Sequence, residues 1–104
     1  MVIGVLQLSD DGKTLEGVLD KSAESITIPN SVTNICVGAF SGCTSLKSIH
    51  SAAVNINNIV IDEEAFDGFN IDECTLYIPS GTRWAYRHHP EFGKFKNIEI
   101  EKEL

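Results

Sequence analysis

Apolar and polar positions along this chain alternate in short bursts, and the bursts recur. Ile26 and Ile28 flank Thr27, and Ile59 and Ile61 flank Val60, the period-2 pattern of strands with one buried face. Pro29 removes a backbone donor directly after the first burst, so that strand ends there or lies at an edge. Ala39-Phe40 and Ala65-Phe66 sit between bursts, each followed by one residue and then a glycine. A small residue beside a large ring suggests a turn whose aromatic plugs the interior. Ahead of these, Leu6 and Leu8 alternate with polar neighbours, Asp10-Asp11-Gly12 supplies a turn tolerant of positive φ, and Thr14-Leu15 resumes. That pattern predicts a β-hairpin within residues 2–18.

The bursts belong to one repeated phrase. Ile26 to Ile49 is 23 residues, Ile49 to Leu76 is 27, and Ala39 to Ala65 is 26. A period in the twenties is the signature of a solenoid, because each repeat is too small to bury its own apolar face and must stack on the next. Such a stack presents a broad surface rather than a catalytic cleft. The hairpin would cover its first open edge. The second repeat carries about three extra residues between Ile49 and Ala65 and lacks the proline, which predicts a loop on one face. Ser80 or Thr82 can cap a helix from Thr82 to about His88, and Pro90 disfavours helical geometry at His89. Trp84, Phe92 and Phe95 are then expected to close the apolar end of the stack. The reading is one domain over 1–104: an N-terminal hairpin segment (1–22), repeat one (23–48), repeat two (49–75), and a final strand with capping helix (76–104).

Ile26-Thr27-Ile28-Pro29-Asn30-Ser31-Val32-Thr33-Asn34-Ile35, Ala39-Phe40-Ser41-Gly42-Cys43-Thr44-Ser45-Leu46-Lys47-Ser48-Ile49, and Leu76-Tyr77-Ile78-Pro79-Ser80-Gly81-Thr82 with Ala85-Tyr86 and Phe95-Lys96-Asn97-Ile98 resemble the BspA-like, or treponemal-type, leucine-rich repeats. The likeness covers residues 26–98. It implies an α+β, mostly β fold: a short right-handed leucine-rich-repeat solenoid with an N-terminal β-hairpin and a C-terminal helical cap. It further implies a non-catalytic adhesion or protein-binding module, cell-surface or secreted, on bacteria, with extracellular host proteins among the expected targets. The family has no catalytic residues to carry over. Two repeats offer a small footprint, which points to self-association or to a longer parent protein in which this segment is a structural cap or spacer.

Composition narrows the partners. Fifteen acidic residues against eight basic ones give a net charge of -7, which repels phosphate backbones and anionic membranes alike. No nucleic acid and no membrane insertion are expected, and the opening Met1-Val2-Ile3-Gly4-Val5-Leu6 lacks the basic region and length of a signal peptide. The residues from Glu101 to Leu104 are expected to fray. Cys36, Cys43 and Cys74 are odd in number and lack close pairing, so they read as structural thiols rather than a disulfide framework.

The candidate chemistry is sparse. Asp62-Glu63-Glu64 with Asp67, Asp72 and Glu73 matches no EF-hand spacing, and Cys36, Cys43, Cys74 and His50 lack the local pair a zinc site needs. No metal or other cofactor is expected. Cys74 with His88 or His89 and Asp72 lacks any nucleophile motif, so no enzyme is expected. Arg83, Arg87, Lys94 and Lys96 beside His88 and His89 form the one basic stretch, read as the solvated face of the capping helix. Thr27, His50 and Tyr77 hold equivalent places after the first apolar residue of successive strands and should form a row on one sheet face. These are the ligand-binding candidates, for a protein or glycan partner: Tyr77 offers rigid contact area and His50 both a donor and an acceptor.

Overall fold

A computed structural model describes residues 2–101 of the 104-residue chain. Among the described residues, strands dominate: β1 (Val2–Ile3), β2 (Leu6–Leu8), β3 (Thr14–Val18), β4 (Ser25–Ile28), β5 (Asn34–Ile35), β6 (Ser48–Ser51), β7 (Val60–Ile61), β8 (Thr75–Ile78) and β9 (Asn97–Ile100). The one α-helix among them, α1, runs Arg83–His88, and 3-10 turns occupy Ile71–Glu73 and Phe92–Lys94. The described part is compact, 31 × 30 × 29 Å.

β2 and β3 pair antiparallel around a turn in which the Asp11 carboxylate accepts hydrogen bonds from Ser9 Oγ (2.6 Å) and the Lys13 amide (3.0 Å). From β4 to β8 the chain alternates between two sheets, and β9 then joins β8 in the second. One has the order β1-β2-β3-β5-β7 and the other β4-β6-β8-β9, with every pair beyond the hairpin parallel. Each repeat therefore adds one rung to both sheets, and β3 of the hairpin pairs β5, covering the leading edge of the first sheet.

The register explains why spacings of unequal length are tolerated. Ile26, Ile49, Leu76 and Ile98 stand opposite one another across β4, β6, β8 and β9, and all four are buried. Each lies in a strand that alternates inward and outward residues. A slip of one residue would expose the whole row, so the register is held although intervening loops differ in length. Pro29 falls directly after β4, where no ladder donor is needed.

The interior is a column of rings. Phe40 and Phe66, from equivalent turns of successive repeats, lie 5.6 Å apart at 24°, and Phe66 meets Phe95 edge-on at 5.1 Å and Phe92 at 5.9 Å. The turns that carry these rings are bonded to each other, Gly42 N–H donating to the Gly68 carbonyl at 2.9 Å and Gly38 N–H to that of Glu64 at 3.2 Å. Gly68 has φ +87°, and a Cβ there would lie 2.8 Å from Ser41 Cα, so the close stacking of turns requires glycine.

Trp84 does not close the end of the stack, as was expected of it: it is 74% exposed, while Phe92 and Phe95 are buried. Tyr86 takes that place, fully buried. Two residues apart on a helix means roughly 200° of rotation, so only one of the two rings can face inward. The tyrosine is the one whose polar end is satisfied there, its hydroxyl donating to the Ala53 carbonyl and meeting Ser51 Oγ, both at 2.6 Å. Ser51 ends β6, and Ala53 lies in the longer loop that follows it.

Truncating either ring of the column, Phe40→Ala or Phe66→Ala, should lower unfolding free energy by about 3 to 5 kcal/mol, measured by urea denaturation.

Candidate functional site

Thr27, His50 and Tyr77 are direct neighbours across β4, β6 and β8, and Glu99 of β9 continues the row. All four alternate with buried residues, so the row lies on the outward face of its sheet. The His50 and Tyr77 rings are stacked, with centroids 4.7 Å apart and planes 10° from parallel. His50 Nδ1 is hydrogen-bonded to the Glu101 carboxylate, and the Glu101 amide donates to the Ile78 carbonyl at 2.7 Å. Residue 101 is thus held rather than frayed; 102–104 lie outside the described residues. A depression of about 240 Å³ opens between Thr27, His50, Ser51, Pro79, Ser80 and Glu101, and another of about 360 Å³ lies beside Tyr77, Glu99 and Glu101.

Sequence reasoning missed both glutamates. Glu99 was within reach, since it follows Ile98 as Tyr77 follows Leu76. Glu101 carries no repeat signal; it enters because the chain continues past β9 along β8. The row can offer a flat aromatic surface, hydroxyl and imidazole hydrogen bonds, and the carboxylates of Glu99 at its end and Glu101 beside His50.

The basic stretch is not merely a solvated helix face. Arg83 Nη1 donates to the Ile98 carbonyl at 3.1 Å, Arg87 Nη1 to that of Phe95 at 3.4 Å, and Lys94 Nζ to that of Glu63 at 3.1 Å. Lys94 also pairs with Glu91 at 2.6 Å. His89 Nδ1 accepts the amides of Glu91 (3.1 Å) and Phe92 (3.3 Å), which puts the ring proton on the other nitrogen, and the ring also bonds the Ile59 backbone. Burial holds His89 below its ordinary value of 6.5, only partly offset by the Ile59 backbone and Glu91. Gly93 completes the turn: a Cβ there would meet the Arg87 carbonyl at 2.5 Å.

Cys43 and Cys74 are buried and Cys36 partly so; all three are free thiols. Burial pushes the Cys74 thiol up to about 11, the reverse of what a nucleophile needs. Among the described residues, no three His, Cys, Asp or Glu side chains gather where they could hold a metal ion. The acidic turn serves the backbone instead, Asp62 Oδ1 accepting the Glu64 amide at 2.9 Å. No described helix is long and apolar enough to cross a membrane.

Parallel rungs at intervals in the twenties, Ala-Phe turns and an outward row of aligned side chains define a strand-rich repeat protein. Residues 19–104 match the BspA type leucine rich repeat region (6 copies), and the chain belongs to that family. The comparison with curated proteins finds no match. Leucine-rich-repeat families typically serve as protein-interaction modules without catalysis, and the BspA type is often found on cell surfaces or secreted.

Two outcomes follow from these environments. Because the folded protein binds the His89 proton more weakly than the unfolded chain does, its contribution to stability is complete above the ordinary value of 6.5 and is lost as pH falls below it. Urea midpoints measured from about pH 7 to about pH 5 should therefore drop more for the parent than for His89→Gln. Thiol titration of the folded protein at neutral pH should label Cys36 first, with Cys43 and Cys74 reacting only on unfolding; rapid labelling of Cys74 would contradict its burial.

Proposed function

We propose that the chain is a non-catalytic interaction module of a cell-surface or secreted bacterial protein, binding a protein or glycan partner through the row Thr27, His50 and Tyr77. The observation that carries this is the His50–Tyr77 stack at 4.7 Å on an outward sheet face, where neither ring is needed by the core. Stacking fixes both side chains before any partner arrives, which lowers the entropy lost on binding. In this reading residues 1–104 form one domain, a short right-handed solenoid with a helical cap. Glu99 at the end of the row and Glu101 beside His50 favour a partner with basic groups.

A second reading is a structural cap of a longer repeat protein, with the ligand bound elsewhere. It is favoured by the donors Arg83, Arg87 and Lys94, all of which are engaged on backbone carbonyls of β9 and of the turns beside β9 and β7. Four strands at about 4.8 Å spacing also make a narrow face.

Capture of extracellular host proteins and glycans, run with this chain and with a longer encoded protein, separates the two. The first reading expects capture by this chain and its loss in the double variant Thr27→Glu, Tyr77→Ala with the fold intact by circular dichroism. Capture confined to the longer protein supports the cap, and capture unchanged in the double variant excludes this face.

A further inference from the structure

Trp84 is the chain's one tryptophan and its most exposed large apolar side chain among the described residues. Tyr86, Phe92 and Phe95 close the core without it, so packing gives no reason for an indole at this position. The ring is nonetheless held in place. His88 stacks on it, centroids 4.3 Å apart and planes at 22°, and His88 Nδ1 is itself tied to the Trp84 carbonyl at 2.8 Å. With His88 on one face and 74% of the residue exposed, the opposite face of the indole is open.

That ring borders a cavity of about 360 Å³, within the usual size of small-ligand sites. Its far wall is Ile56, Asn57 and Ile59, from the longer loop of the second repeat, and Pro90 adds apolar surface beside His88 and His89. The cavity shares no residue with the depression at His50. The lining contains no carboxylate, lysine or arginine. The nearby Arg83, Arg87 and Lys94 are directed at backbone carbonyls. An ion would thus meet no fixed countercharge. A protein partner needs roughly 800 Å² on its side, far more than one ring and a loop provide. What fits is a small neutral group with one apolar face and a polar rim. The apolar face would lie on the indole, and the rim would meet the Asn57 amide across the cavity.

We propose that Trp84 and Asn57, with His88 holding the indole from behind, form a binding site for a neutral pyranose ring of a glycan, stacked on the free face of the indole. The site is independent of the strand-face reading, and it gives the insertion in the second repeat a task as the opposing wall. A pyranose presents a face of C–H groups and a rim of hydroxyls, which is the complement of this cavity.

Because the chain has a single tryptophan, its fluorescence reports on this site alone. Titration with cellohexaose, maltohexaose, mannohexaose and chitohexaose should give a saturable change in emission with at least one of them. Calorimetry with that sugar should show binding weakened roughly tenfold or more in Trp84→Ala, less in Trp84→Phe, and unaltered in Tyr77→Ala. Circular dichroism confirms that the variants are folded, as the exposure of Trp84 leads one to expect. If none of the four sugars alters the emission, or if Trp84→Ala binds as the parent does, the proposal fails. Binding that Tyr77→Ala abolishes would move the sugar to the strand face and overturn this site while leaving the strand-face reading standing.

Discussion

A ladder of parallel strands has to end, and its last rung leaves backbone carbonyls with no further strand to accept from. In the open this is a template for another chain, and under cover it is a set of unpaired polar groups. The segment from Arg83 to Lys94 meets that constraint with side chains. Guanidinium and ammonium groups reach the carbonyl of Ile98 in β9 and those of Phe95 and Glu63 in the turns beside β9 and β7, and His89 reaches the backbone at Ile59. The helix that carries both guanidinium groups is fixed by Tyr86, whose hydroxyl is bonded to the second repeat. Charge in an otherwise acidic chain is concentrated here because donors with long reach are needed here.

The interior depends on the same rung-by-rung logic. Phe40 and Phe66 stack because their turns are hydrogen-bonded, and the turns approach closely enough to bond because Gly68 has no Cβ to strike Ser41. Phe92 and Phe95 then continue the column beyond the last Ala-Phe turn. The hairpin covers the other end of one sheet through β3 and β5. The outward row is left free of structural duty, which is what allows His50 and Tyr77 to stack on each other instead of on the core.

What was legible in the sequence was whatever repeats. Period-2 bursts located the strands, the recurring phrase set their register, and the alignment of Thr27, His50 and Tyr77 followed from it. What does not repeat was hidden. Trp84 looked like a core residue because tryptophans are usually buried; its placement turns on the phase of a six-residue helix, fixed by where Tyr86 finds partners for its hydroxyl. The basic stretch looked solvated because backbone carbonyls are invisible in a pattern of side chains. Glu101 could not be seen because its partner, His50, is 51 residues away in sequence.

Since the terminating donors all lie within twelve consecutive residues, closure is confined to one end of the molecule. Duplicating residues 26–48 would insert a rung ahead of that end and leave Ile98, Phe95, Glu63 and Ile59 where their donors reach them. A chain built this way can lengthen by copying its own middle with the donors of residues 83–94 left in place.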